Sequence, residues 1–184
     1  MTKPHHRMAG RHRPRFARRG RTDHTLGMRE LQIVDAAELA SAYAVAEYAA
    51  VVDAEPLPLR VGRRATDLEA YVPAARYAFI TAWNPASRPR SDAANQAADR
   101  LLVAQLDALG VVRHPAWAQD PQGEWHEPGW LVADLPEDDL LRLAVEFGQA
   151  GVLDWPAGEP VRLRMLMPRP QAVRSPADTD WVAG

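Results

Sequence analysis

The chain has 184 residues, an apolar fraction of 47%, no cysteine and a net charge of −2 at pH 7. This length suits one globular domain with flexible ends, and the lack of cysteine excludes disulfides, thiolate metal ligands and a cysteine nucleophile. No segment reaches the roughly 18 uninterrupted apolar residues that a membrane span needs, so we expect a cytoplasmic protein with no membrane partner.

Charge is distributed unevenly along the chain. The first 30 residues hold nine basic and two acidic side chains, so they carry +7 and the remainder carries −9. Residues 1–27 have almost nothing apolar to bury, which predicts a disordered basic tail. Three interpretations stay open: an arm that binds nucleic acid, a tail without function, and a segment that is not translated because Met28 is the true start.

The rest of the sequence alternates between helix and strand patterns. Asp35, three residues before Glu38, is typical of a helix N-cap, and Ser91 is another good N-cap. Gly110 and Gly148 are expected to end helices. The predicted elements in chain order are a helix over 36–43, strands over 48–52 and 57–61, a short helix capped by Thr66, a strand over 77–83, a helix over 91–109, strands over 111–118 and 130–135, a helix opening at 136, and strands over 152–155 and 161–167.

Strands outnumber helices, and several strands lie in predicted hairpins. This order predicts the α+β class: a single domain over residues 28–167, with a mixed sheet of about six or seven strands and three or four helices packed on it. A doubly wound nucleotide fold is not expected. Residues 168–184 contain three prolines and no periodicity, which predicts a flexible C-terminal tail.

The loop after the predicted strand over 77–83 is the candidate ligand site. A strand end there leads to a helix N-terminus, whose free N–H groups and macrodipole favour an anion. Asp92 opposes this interpretation, because its carboxylate repels an anion. The alternative is structural: Asn84 before Pro85 fixes a turn, and the arginines face water. The candidate residues are Trp83, Asn84, Ser87, Arg88, Arg90, Ser91 and Asn95.

The same loop carries a resemblance to a known family. The residues concerned are the Thr-Ala-Trp-Asn-Pro run at 81–85, then Ser87, Ser91, Asn95 and Trp130, and the Phe-Gly-Gln triplet at 147–149. Over about residues 28–167 the chain resembles the uncharacterised bacterial family called domain of unknown function 3293. The resemblance implies a small bacterial α+β module. It supplies no activity, cofactor or catalytic residue.

Other candidate sites find less support in the sequence. His114 and His126 flank a predicted hairpin but lack a tight metal-ligand spacing, so we interpret them as surface residues and expect no metal. Trp117, Trp125 and Trp130 either line a pocket or cover the core, and we favour the core. No nucleotide-binding glycine motif occurs, and no cofactor is expected.

The leading hypothesis is a cytoplasmic, non-enzymatic small domain that binds a small anionic ligand or a protein partner. One alternative is an enzyme that acts on a phosphorylated or carboxylated small molecule at the loop over residues 83–95. Another alternative is a nucleic-acid accessory factor that uses residues 1–27.

Overall fold

A single sheet of eight strands organises the chain in a computed structural model that describes residues 35–171 and 174–182. The basic segment 1–27 lies outside the described residues, so the prediction made for it stays a prediction. The elements are α1 (Ala36–Val45), β1 (Glu47–Val52), β2 (Glu55–Leu59), α2 (Thr66–Tyr71), β3 (Arg76–Ile80), a 3-10 turn (Pro85–Ser87), α3 (Asp92–Leu109), β4 (Val112–Gln119), β5 (His126–Ala133), α4 (Glu137–Glu146), β6 (Gly151–Pro156), β7 (Arg162–Met165) and β8 (Thr179–Trp181).

The strand order across the sheet is β2-β1-β4-β5-β3-β6-β7-β8. Neighbours are antiparallel except for β7 and β8, which are parallel. The predicted α+β fold with a mixed sheet is therefore confirmed. The described residues contain one strand more than the upper predicted number, and four α-helices. Pro58 lies in the edge strand β2, as expected for a residue that cannot donate to a ladder.

Helices cover both faces of the sheet and create two apolar cores. Because β3 lies inside the sheet with helices on both sides, its residues 77–80 are all buried, and Phe79 faces one core while Ile80 faces the other. The principal helix residues buried are Leu39, Ala40 and Leu68 beside the first core, and Leu102, Leu106, Leu140 and Leu143 beside the second. None of the helices in the described part of the chain is long and apolar enough to cross a membrane.

The predicted helix ends are largely observed. The Asp35 side chain accepts a hydrogen bond from the backbone N–H of Ala37 at 2.8 Å, and Ser91 Oγ accepts one from Ala94 at 3.3 Å. Gly110 ends α3 with φ +69°. Each contact satisfies backbone groups that a helix end leaves without an intrahelical partner.

A charged cluster holds the start of α4 against the sheet. Asp154 is buried and accepts two hydrogen bonds from Arg76 Nη2, at 2.8 and 3.0 Å, while Arg164 lies 3.6 Å away. Glu137, in the first turn of α4, pairs with both arginines. Glu137 therefore anchors the start of α4 to the sheet as well as complementing the helix macrodipole.

Two local predictions are corrected by the structure. Thr66 is the first residue of α2 rather than its cap, and Ala65 occupies the N-cap position without a side-chain bond. The segment 168–184, predicted as a flexible tail, contains β8, where Trp181 pairs with Met165. A strand of three residues is too short to produce a recognisable alternating pattern, which is why the sequence did not indicate it.

Candidate functional site

A buried asparagine organises the loop between β3 and α3. Asn95 is 1% exposed, and its Oδ1 accepts a hydrogen bond from the backbone N–H of Asn84 at 3.0 Å. Its Nδ2 donates to Asn84 Oδ1 at 2.9 Å, and the same oxygen accepts from the backbone N–H of Arg90 at 2.9 Å. These amide groups are therefore used to hold the loop, as buried polar groups must be satisfied.

The backbone of this loop is strained. Three non-glycine residues have positive φ, namely Asn84 at 41°, Ala86 at 50° and Ser87 at 55°. Each such residue costs roughly 1–3 kcal/mol and persists only when its surroundings fix it. Here the fixed conformation places the Ser87 hydroxyl 2.7 Å from the Tyr43 hydroxyl on α1.

The residues that follow α4 support the loop from its other side. Gln149 is buried, and its Nε2 donates to the backbone oxygen of Trp83 at 3.1 Å. Gly148 has φ +66°, and a Cβ built on it would lie 3.1 Å from Pro85 Cβ. The two sequence motifs at 81–85 and 147–149, far apart in the chain, therefore meet at this loop.

A cavity of about 270 Å³ lies beside the loop, between α1 and the sheet face of the first core. Its wall is mostly apolar. The aromatic and aliphatic residues that form much of this wall are Leu39, Tyr43, Tyr48, Phe79, Leu153 and Leu163. An apolar cavity with a few convergent polar groups is the usual form of a small-molecule site.

Two tyrosines contribute hydroxyl groups to the cavity region. The Tyr48 hydroxyl donates to the backbone oxygen of Tyr43 at 2.9 Å. Burial raises the pKa of Tyr48, and it also raises the pKa of Tyr43, an effect that the hydrogen bond to Ser87 partly offsets. Both hydroxyls therefore stay protonated through the ordinary pH range. The Tyr48 proton is used in the bond to Tyr43, whereas the bonded pair of Tyr43 and Ser87 hydroxyls keeps one proton that it can donate to a ligand.

Glu127 is the most unusual polar residue of the cavity wall. Its Oε1 accepts hydrogen bonds from Asn84 Nδ2 at 2.9 Å and from Trp125 Nε1 at 2.8 Å. Burial raises the pKa of the Glu127 carboxyl, although these two bonds favour the ionised form. A carboxyl with a raised pKa in a cavity is characteristic of functional sites.

The predicted site residues divide into two groups in the structure. Ser87 lines the cavity, whereas Arg88 and Arg90 are exposed and form no ion pair with a described residue. Ser91 caps α3, and the side-chain amides of Asn84 and Asn95 bond each other. The structure therefore brings one of the seven candidates to the cavity, and an anion site at the arginines stays a prediction.

His114 and His126, the two histidines among the described residues, do not come together in one site. Strand register pairs His126 with Gln119 and His114 with Leu131, so the two side chains lie well apart along the β4–β5 hairpin. Among the residues that the structure describes, no group of three His, Asp or Glu side chains is arranged to hold a metal ion.

The three tryptophans are also separated. Trp125 lines the cavity, and Trp130 packs beside the second core and donates from Nε1 to Asp99 at 2.9 Å. The Trp117 ring lies 5.7 Å from the His126 ring. Of these three tryptophans, Trp125 is therefore the one that lines a pocket.

Sequence reasoning missed Glu127 and Tyr43. The predicted strand over 130–135 leaves Glu127 in the preceding loop, whereas β5 begins at His126. Extending the alternation back from Leu131 places Glu127 on the same sheet face as that buried leucine. This alternation was a usable signal. Tyr43 becomes relevant only once α1 packs on the sheet, which no local pattern reveals.

Comparison with known families gives a match, and its range includes the loop. Residues 80–152 match a family described as a protein of unknown function (DUF3293). The predicted resemblance is confirmed over these residues. The DUF3293 match includes the loop, Ser87, Glu127 and Gln149, while Tyr43 and Tyr48 precede it. No curated protein and no solved structure gave a significant match to the chain.

Proposed function

We propose that this chain is a non-enzymatic ligand-binding domain that holds a small, largely apolar molecule in the cavity between α1 and the sheet. The observation that carries the proposal is the convergence of polar groups on an apolar cavity. Ser87, Tyr43 and Glu127 reach it from three different elements. A loop held in a strained conformation supplies one of them, and such strain is found preferentially at functional sites.

The size of the cavity limits the ligand. A dry cavity of roughly 150 Å³ can hold benzene. The space of about 270 Å³ therefore suits a compact molecule of roughly one or two rings, or an aliphatic molecule of similar volume. A long cofactor such as a dinucleotide does not fit this space.

An anion at the exposed arginines is the less favoured location. The Asn84 amide that would orient such a ligand already bonds Asn95, Arg90 and Glu127. The enzyme alternative is also weaker. Among the described residues that line the cavity there is no histidine, and the raised pKa of Tyr43 makes its hydroxyl a poor general acid or base near neutral pH. The raised carboxyl pKa of Glu127 leaves this residue as the general acid or base that the enzyme alternative would use.

Filling the cavity tests the proposal. A set of small neutral aromatic and aliphatic compounds is screened against the wild-type chain by ligand-observed NMR. Ala118→Leu adds side-chain volume to the cavity wall, and Ala97→Leu makes the same change on an exposed position of α3. We expect binding that Ala118→Leu abolishes and Ala97→Leu leaves intact. A screen without a binder, or binding that survives in a folded Ala118→Leu variant, overturns the proposal.

A second experiment separates the cavity from the arginine loop. The double substitution Arg88→Ala with Arg90→Ala removes both exposed cations of the loop. Since neither residue is among the described residues that line the cavity, the affinity for a cavity ligand is expected to stay within about twofold of wild type. A loss of tenfold or more assigns binding to the loop instead.

The remaining expectations belong to the same proposal. A cytoplasmic location in a bacterium is supported by the cysteine-free sequence and by the family resemblance. Two alternatives to a small-molecule ligand are a protein partner and a nucleic acid, the latter bound through residues 1–27. Binding of RNA that weakens with salt, and that is lost when the chain starts at Met28, favours the nucleic-acid alternative.

A further inference from the structure

We propose that the cavity selects a ligand that carries an organic ammonium group, and that Glu127 is the residue that binds this group. The inference rests on the proposed function, because it names the ligand class of the same cavity. The loop sequence favours an anionic ligand, whereas this inference gives the cavity a cationic ligand.

The charge of the cavity wall is the first observation. Among the described residues that line it, Asp120 and Glu127 are the side chains that carry charge, and both are acidic. No lysine, arginine or histidine is among them. In a site partly withdrawn from water, charges of one sign attract the opposite charge strongly and exclude their own. A carboxylate or phosphate ligand is therefore disfavoured.

The hydrogen bonding of Glu127 is the second observation. Both donors that reach this carboxyl, Asn84 Nδ2 and Trp125 Nε1, bond the same oxygen, Oε1. No described residue donates to Oε2. The protein therefore fixes the orientation of the carboxyl through one oxygen and leaves the other as an acceptor for a ligand N–H. Charge-assisted hydrogen bonds of this kind are the strong ones.

The aromatic content of the wall is the third observation. Four aromatic side chains line the cavity, and Trp125 lies at its solvent side with an exposed fraction of 38%. Tyr48 and Phe79 pack edge to face with ring centroids 5.3 Å apart. Aromatic faces attract ammonium groups, and rings combined with a carboxylate are a frequent means of holding them. The four are Tyr43, Tyr48, Phe79 and Trp125.

The ionisation of Glu127 gives the pairing a pH signature. The groups that act on its carboxyl are the amide and indole donors of Asn84 and Trp125. The neutral hydroxyls of Tyr43 and Tyr48, from α1 and β1, also belong to the cavity wall, and the charge of Glu127 contributes to raising the pKa of each. Asp120 is the other acid of the wall. Because burial raises the pKa of Glu127, affinity for an ammonium ion should increase as pH rises through that pKa and decrease once the ligand amine loses its proton.

A matched series of probes tests the inference. 2-Phenylethylamine, 2-phenylethanol and 3-phenylpropanoate share an apolar body and carry a cationic, a neutral and an anionic group. Dissociation constants are measured at neutral pH by ligand-observed NMR for wild type, Glu127→Gln and the control Glu124→Gln. Glu124 is an exposed loop acid that is not among the described cavity residues, so it controls for the change in net charge.

We expect wild type and Glu124→Gln to bind the amine roughly 10-fold or more tightly than the alcohol, and the carboxylate weakest. In Glu127→Gln the preference for the amine over the alcohol should disappear while the alcohol still binds. Equal or tighter binding of the carboxylate, or an amine preference that survives Glu127→Gln, overturns the inference. Binding of none of the three probes to wild type counts against the proposed cavity function itself.

Discussion

Glu127 links the chemistry of the cavity to the stability of the fold. Its folded-state pKa is raised by burial, so between the ordinary carboxyl pKa of roughly 4.3 and the folded value the native state binds more protons than the unfolded state. The free energy of unfolding should therefore decrease as pH rises through this window. Glu127→Gln removes the titrating group and should reduce this decrease.

Urea denaturation of the free protein at a series of pH values from about 4 to 8 measures this effect. Glu124→Gln serves again as the control, because its side chain is exposed. An identical pH dependence for wild type and Glu127→Gln contradicts the prediction, since it means that Glu127 titrates alike in the folded and unfolded chain.

Gly148 and Gly110 form a natural pair for measuring the contact between α4 and the loop. Both follow a helix with similar backbone angles, φ +66° and +69°, so alanine pays the same conformational cost of about 1 kcal/mol at each. A Cβ at Gly110 meets nothing within 4 Å, whereas at Gly148 it meets Pro85 at 3.1 Å. Gly148→Ala should therefore cost more than Gly110→Ala, by roughly 0.5–2 kcal/mol.

Chemical denaturation of the two variants, side by side with wild type, provides the comparison. An equal decrease in the free energy of unfolding for the two variants means that the loop moves to accept the added methyl group without losing stability. A larger loss for Gly110→Ala contradicts the described packing.

Residue-level reasoning anticipated the local contacts of the loop but not its long-range contacts. The turn at Asn84 and the cap at Ser91 followed from local rules, and both are observed. The long-range bonds from Asn84 to Asn95 and Glu127 did not follow, because they depend on how α3 and β5 approach the loop. The cavity is a tertiary feature for the same reason.

At the scale of elements, periodicity predicted most helices and hairpins. The β1–β2 hairpin, the central strand β3 and the long helix α3 each have a run of apolar residues long enough to show the spacing of a strand or a helix. β8 was missed, and its attachment depends on contacts that are distant in sequence. Arg162 donates to both carboxylate oxygens of Asp180, at 2.7 and 2.9 Å, and this pairing lowers the pKa of Asp180.

Trp181 provides the test of β8 docking. It packs against the first core, and its Nε1 donates to Ser175 Oγ at 2.8 Å. Because the indole is only partly buried, Trp181→Ala should lower the free energy of unfolding by about 1–3 kcal/mol, less than a fully buried tryptophan would cost. Val182→Ala, at the exposed neighbouring position, should change it by less than about 0.5 kcal/mol. Indistinguishable effects in thermal and urea denaturation contradict the docking of this strand.

At the scale of the whole molecule, the charge division between residues 1–30 and the remainder predicts that the basic segment is not required for folding. A chain that starts at Met28 should melt within about 2 °C of the full chain, since a segment with almost no apolar residues is expected to contribute little to stability. Differential scanning calorimetry of both chains measures this. A substantially lower melting temperature for the shorter chain indicates that residues 1–27 pack on the domain.

The position of β3 in the sheet has a consequence for the order of folding. Its two neighbours, β5 and β6, both follow it in the sequence, and the β4–β5 hairpin lies between β1 and β3. During synthesis β3 leaves the ribosome before either partner exists, while an isolated β1–β2 hairpin is only marginally stable. The sheet therefore cannot grow steadily from the N-terminus. Its completion requires closing long loops, which makes folding slow, in the range of about milliseconds to seconds for sheets dominated by distant pairings. Until β5 and β6 have paired with it, the apolar residues of β3 are exposed to solvent, where they can cause aggregation or bind chaperones.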